Sequence, residues 1–131
     1  MKPRLTKKRI LIGAVLLSLA AMVGFGAVLG CIEFSLRDAC ALAQAAHAHR
    51  GDDVSALIAF VQASDHSLKD RNRAVWALGR LGDPRALAVL ESYRTGQDCN
   101  HGQALCQHEL EKAIKYCRKP LPSLFAMLRP E

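Results

Sequence analysis

The chain has no acidic residue before Glu33, and between Arg9 and Glu33 it has no charge of either sign. Aromatic side chains are scarce: one tryptophan, two tyrosines and four phenylalanines. No run alternates Val, Ile or Thr with polar residues, which argues against a sheet-built domain. Half of the residues are hydrophobic, and most of that apolar mass is Ala and Leu, both strong helix formers. No Ser-His-Asp constellation lies in a supporting motif, and there is no glycine-rich phosphate loop or haem-attachment pattern. Nothing in the pattern points to an enzyme, a cofactor or a small-molecule substrate. At 131 residues there is room for one small domain and an appendage.

The net charge of +6 is unevenly spread. Lys2, Arg4, Lys7, Lys8 and Arg9 supply almost all of it, and the rest of the chain is close to balanced. A nucleic-acid binder concentrates its basic excess on the folded domain. Here the excess lies in residues 1–9, so nucleic acid is not the expected partner.

Residues 10–32 read ILIGAVLLSLAAMVGFGAVLGCI, with Ser18 the one polar side chain apart from Cys31. As a helix they would extend about 34 Å, enough for a hydrocarbon core of ~30 Å. The basic cluster ahead of them predicts a cytoplasmic N-terminus, because Lys and Arg stay inside. The domain after the span is then extracytoplasmic. The expected location is a bacterial inner membrane, single-pass, with the domain in the periplasm. The segment is long for a secretory h-region, which favours a permanent signal anchor. A second reading stays open: AVLGC, residues 27–31, resembles the bacterial lipobox, which would make Cys31 a lipidated N-terminus. Gly26 and Gly30 also stand at the small-xxx-small spacing that lets helices pack closely in lipid.

Residues 35–118 read as an all-α domain. Ser35 and Asp38 suggest a capping box for a first helix with Leu36, Cys40, Ala43 and His47 on its apolar face. Gly51-Asp52-Asp53 makes a turn. A second helix follows with Val54, Leu57, Ile58 and Val61 at i, i+3, i+4 and i+7. ASDHS, residues 63–67, breaks the pattern. The third helix, about Leu68 to Arg80, turns Leu68, Val75 and Leu78 inward, with Trp76 at the edge of that face. Gly82 ends it, Asp83 caps the fourth, and Pro84 takes the first helical position. The fourth presents Leu87, Leu90 and Tyr93. The fifth, Gln103 to Arg118, carries Cys106, Leu110, Ala113, Ile114 and Cys117 as one stripe and caps the array. In the tail, residues 119–131, Leu124, Phe125, Met127 and Leu128 would dock on the domain.

Repeated helix pairs of this length suggest a short α-solenoid. Residues 73–93, RAVWALGRLGDPRALAVLESY, make the likeness specific. Ala77-Leu78-Gly79, Leu81-Gly82-Asp83-Pro84 and Ala86-Leu87 resemble the short bacterial, phycobilisome-lyase-like HEAT repeat. Residues 35–64 fit the same helix-pair plan without the Leu-Gly-Asp-Pro turn. The resemblance implies a binding scaffold, and no lyase chemistry carries over, since the repeat itself holds no catalytic group.

CNHGQALCQH, residues 99–108, holds two cysteines and two histidines. Outside the cytoplasm thiols oxidise, and small exported domains use disulfides. With Cys31 at the membrane border, Cys40, Cys99, Cys106 and Cys117 make an even set. The expected pairs are Cys99–Cys106 and Cys40–Cys117. Cys106 and Cys117 are too far apart along one helix to pair, at about 16 Å. Buried thiols, or a metal held by Cys99, His101, Cys106 and His108, are the alternatives. The C-x-H-x4-C-x-H spacing matches no common zinc module. His47 and His49 lie two apart on a helix and face different ways.

These readings predict a membrane-anchored, extracytoplasmic scaffold or adaptor for another envelope or membrane protein. Arg85, Glu91 and Arg94 are its candidate contact residues. Two other readings remain: a structural subunit of a larger membrane complex, with Gly26 and Gly30 against another span, and a metal or redox site at Cys99–His108.

Overall fold

The computed structural model describes residues 7–47, 49, 51–100 and 102–119. His101 and the tail residues Leu124, Phe125, Met127 and Leu128 lie outside them. Every regular element among the described residues is helical. The chain divides into one unit ending at Ser35 and a second beginning at Leu36.

The described residues of the first unit, 7–35, lie in α1, Lys7–Ala46. Its large apolar side chains from Ile10 to Val28, among them Leu17, Met22, Val23 and Phe25, are exposed. By length and composition this helix could cross a membrane. A signal sequence near the N-terminus has the same character. Ser35 does not act as the expected N-cap: it lies inside α1, where its N–H is already taken up by the helix.

The second unit holds the core. Ala39, Cys40 and Ala43 from α1 are buried with side chains of α2, Asp53–Gln62, and α3, Leu68–Leu81. α2 begins because Asp52 accepts the Ser55 N–H at 3.3 Å, and it buries Val54, Leu57, Phe60 and Val61. α3 begins because Ser67 accepts the Asp70 N–H at 3.1 Å, and it buries Ala74, Val75, Ala77 and Leu78. Gly82, at φ 65°, ends α3 in the left-handed conformation that glycine adopts freely.

The expected fourth helix is split. Asp83 caps a single 3-10 turn, Pro84–Ala86, and α4 is only Leu87–Ser92. α5 starts later than expected, Gln107–Arg118, with Cys106 as its N-cap. Gln103 and Ala104 donate instead to the Asn100 carbonyl in a turn, which removes them from the helix. The predicted stripe of Leu110, Ala113, Ile114 and Cys117 is buried.

α3 packs against both α2 and α5, and α4 packs against α5. Two arginines tie these elements together. Arg85 grips Asp52 with Nη1 at 2.8 Å and Nη2 at 3.2 Å, and grips Asp83 with Nε at 3.1 Å and Nη2 at 2.9 Å. One guanidinium therefore joins the caps of α2 and of the Pro84 turn, bidentate to each carboxylate. Arg71 donates from Nε to the Val61 carbonyl at 2.8 Å, at the C-terminal end of α2. Its guanidinium carbon also lies 5.5 Å from the centre of the Tyr93 ring.

Candidate functional site

Close packing of α3 on α5 leaves a groove beside the contact. Its floor is Gly79 and Ala113, its walls are Trp76 and Tyr116, and Arg80, Glu109 and Lys112 edge it. Trp76 and Tyr116 are half-buried and Arg80 is exposed. Lys112 Nζ meets Glu109 Oε1 at 3.3 Å, so that pair largely neutralises itself and Arg80 dominates the rim. The groove encloses about 200 Å³. Sites for drug-sized ligands run from ~300 Å³ upward, so this one has room for little more than a side chain or two.

The expected contact residues fare differently. Arg85 spends its charge on Asp52 and Asp83, and Glu91 accepts from Arg118 Nη2. Arg73 pairs with Asp38. Arg94 is exposed. Arg85 with the Ser55 hydroxyl holds the Asp52 carboxyl well below the usual carboxylate range, and Arg85 likewise lowers Asp83. Trp76, Tyr116 and Lys112 were not singled out from sequence as contacts. Their common signal was Gly79, whose missing side chain brings their helices together.

The cysteine segment forms a second site. The Cys99 and Cys106 sulfurs lie 3.5 Å apart, a contact distance beyond the ~2.05 Å of a disulfide. Cys99 is exposed and Cys106 buried. Cys99 Sγ accepts the His108 N–H at 3.4 Å. This donor, followed by the Cys106 thiol, lowers the Cys99 pKa. Cys106 N–H donates to Asn72 Oδ1 at 2.8 Å, which anchors the start of α5 to α3. Buried Gln107 braces the segment from inside. Its Oε1 accepts the Thr95 N–H at 2.8 Å, and its Nε2 donates to the Tyr93 and Leu105 carbonyls, each at 3.2 Å.

The expected Cys40–Cys117 bridge is not formed, and both cysteines are buried. Buried Cys117 directs its thiol to the Leu78 carbonyl at 3.6 Å, and burial pushes its pKa up to about 11. No cysteine pair among the described residues stands at disulfide distance. Of the proposed metal set, Cys99 and Cys106 come together and His108 contributes its backbone N–H. Among the described residues, no three His, Cys, Asp or Glu side chains cluster as metal ligands.

One histidine contact escaped the sequence. His47 Nε2 and His66 Nε2 lie 2.9 Å apart, with ring centres 5.2 Å apart. A contact that short leaves the centres so far apart only when the rings point head-on, so one imidazole donates to the other. Two ligands of one tetrahedral metal would instead converge at an angle. His66 stacks on Phe60 at 3.9 Å and 6° between planes.

Residues 70–93, spanning most of α3, the Pro84 turn and α4, match the family model of the PBS lyase HEAT-like repeat. No curated protein and no solved structure matches the chain.

Proposed function

We propose that this protein is a membrane-anchored scaffold whose HEAT-like domain binds another envelope protein on the extracytoplasmic side. The observation that carries the reading is the HEAT-like repeat at residues 70–93, with the Trp76–Tyr116 groove opening on its first helix. Stacked helical repeats present extended surfaces to protein partners rather than catalytic clefts. Half-buried aromatics flanked by Arg are the composition of interface anchors. The exposed apolar part of α1 supports anchoring, and the basic residues before it support a cytoplasmic N-terminus.

The test has two parts. Alkaline extraction should leave the full chain in the membrane pellet. Trp76→Ala combined with Arg80→Glu should strip the co-purifying partner, while Lys69→Glu at the exposed start of α3 should retain it. Release of the chain by alkali would refute anchoring. A partner retained by the groove variant would refute the groove.

A further inference from the structure

We propose that Cys99 and Cys106 form an exchange-competent dithiol: Cys99 attacks a small-molecule disulfide and Cys106 resolves the adduct into an intramolecular bond. The inference stands apart from the scaffold reading, since it concerns the chemistry of one loop.

Four observations carry it. The sulfurs are already in contact at 3.5 Å, so closure needs side-chain rotation and a small loop shift rather than refolding. Their exposures differ in the useful sense: Cys99 meets solvent, while Cys106 is 7% exposed. An incoming disulfide therefore reaches Cys99 first. The attacking sulfur is prepared, because the His108 N–H points at Cys99 Sγ, and once Cys99 ionises the Cys106 thiol in contact with it is the remaining donor to its thiolate. Finally, the frame is fixed at the Cys106 end by Asn72 and Gln107, whereas Cys99 lies in an exposed segment outside any helix.

The chemistry balances as follows. The Cys99 thiolate attacks one sulfur of the disulfide RSSR, forming Cys99–S–S–R and releasing one RS⁻. Cys106 then loses its proton, and its sulfur attacks Cys99 Sγ, expelling the second RS⁻. The two cysteines are oxidised together by two electrons, and the disulfide is reduced to two thiols. Cys117 stands outside this chemistry, since it is buried and its thiol is engaged with Leu78.

The experiment uses the full chain in detergent, carrying Cys31→Ser, reduced and then treated with glutathione disulfide. Acid quench, alkylation and peptide mass analysis follow. The expected product is a Cys99–Cys106 link, with Cys117 still alkylated once the chain is unfolded. Cys106→Ser should trap glutathione on Cys99, and Cys99→Ser should leave Cys106 without an adduct. Because either variant could unfold, the native reduced chain provides a second reading: brief alkylation should label Cys99 at least ~10-fold faster than Cys106. Preferential glutathionylation of Cys106 would overturn the proposal. So would equal labelling of the two cysteines, or persistence of both thiols in excess glutathione disulfide. Zinc that co-purifies and shields both sulfurs would overturn it as well.

Discussion

Gly79 of α3 and Ala113 of α5 meet backbone to backbone. A Cβ built on Gly79 would stand 2.8 Å from the Ala113 Cα and 3.0 Å from its Cβ. No flexible side chain end can yield there, so the helices themselves must separate. Gly79→Ala should therefore destabilise the domain by ~1–3 kcal/mol through overpacking, against a helix-propensity gain of only ~1 kcal/mol. Gly102→Ala, whose new Cβ would meet nothing nearer than 3.8 Å, should be close to neutral. Urea unfolding of both variants in detergent checks the contrast.

The Arg85 bridge predicts an acid limb. Folded Asp52 and Asp83 titrate below their ordinary 3.8 because Arg85 favours their charged forms. Their contribution is present above that value and is lost as pH falls through the lower folded pKa values. Arg85→Gln should destabilise the domain near neutrality and flatten the acid limb. Urea midpoints measured from pH 6 to about pH 2 would reveal the difference.

Cys117 predicts the opposite limb. Its thiol titrates at about 11 when folded against an ordinary 9.0, because burial penalises the thiolate. The stability it contributes is complete below pH 9.0 and declines as pH rises through about 11. Cys117→Ala should cost roughly 1 kcal/mol at neutral pH through a small cavity, and it should remove part of the alkaline decline. Unfolding midpoints under reducing conditions, compared between the two chains, test the sign.

Gln107 predicts a local effect. Gln107→Ala removes the acceptor of the Thr95 N–H and the donor to the Tyr93 and Leu105 carbonyls. Leaving such groups without partners costs ~1–3 kcal/mol. Amide hydrogen exchange should quicken at Thr95 and through the loop leading to Cys106, while α2 keeps its protection.

Local patterns carried much of this architecture. The Leu110, Ala113, Ile114 and Cys117 stripe and the Gly82-Asp83-Pro84 turn were legible because each signal lies within a few neighbouring residues. The apolar run was legible too, as one uninterrupted helical segment. The Ser35 cap failed because a capping sequence carries no weight where helical hydrogen bonding continues through it. The start of α5 was misplaced because Gln103 and Ala104 are drawn into a turn on Asn100, which helical periodicity does not register. His47 with His66, Arg85 with Asp52, and Asn72 with Cys106 are separated by 19, 33 and 34 residues. Such pairings are set by how helices stack, and one sequence records only the faces involved. The groove was hidden for the same reason, since Trp76 and Tyr116 come to line it only where α3 and α5 pack at Gly79 and Ala113.

The most direct measurement is site-specific photocrosslinking in intact cells, with a photoreactive phenylalanine analogue at Tyr116 or Lys112 and controls at Lys69 and Glu111. A scaffold that docks its partner in the α3–α5 groove predicts one discrete adduct, of the same mass from both groove positions and absent from both controls. Adducts of equal yield from all four positions, or none from the groove, would contradict it.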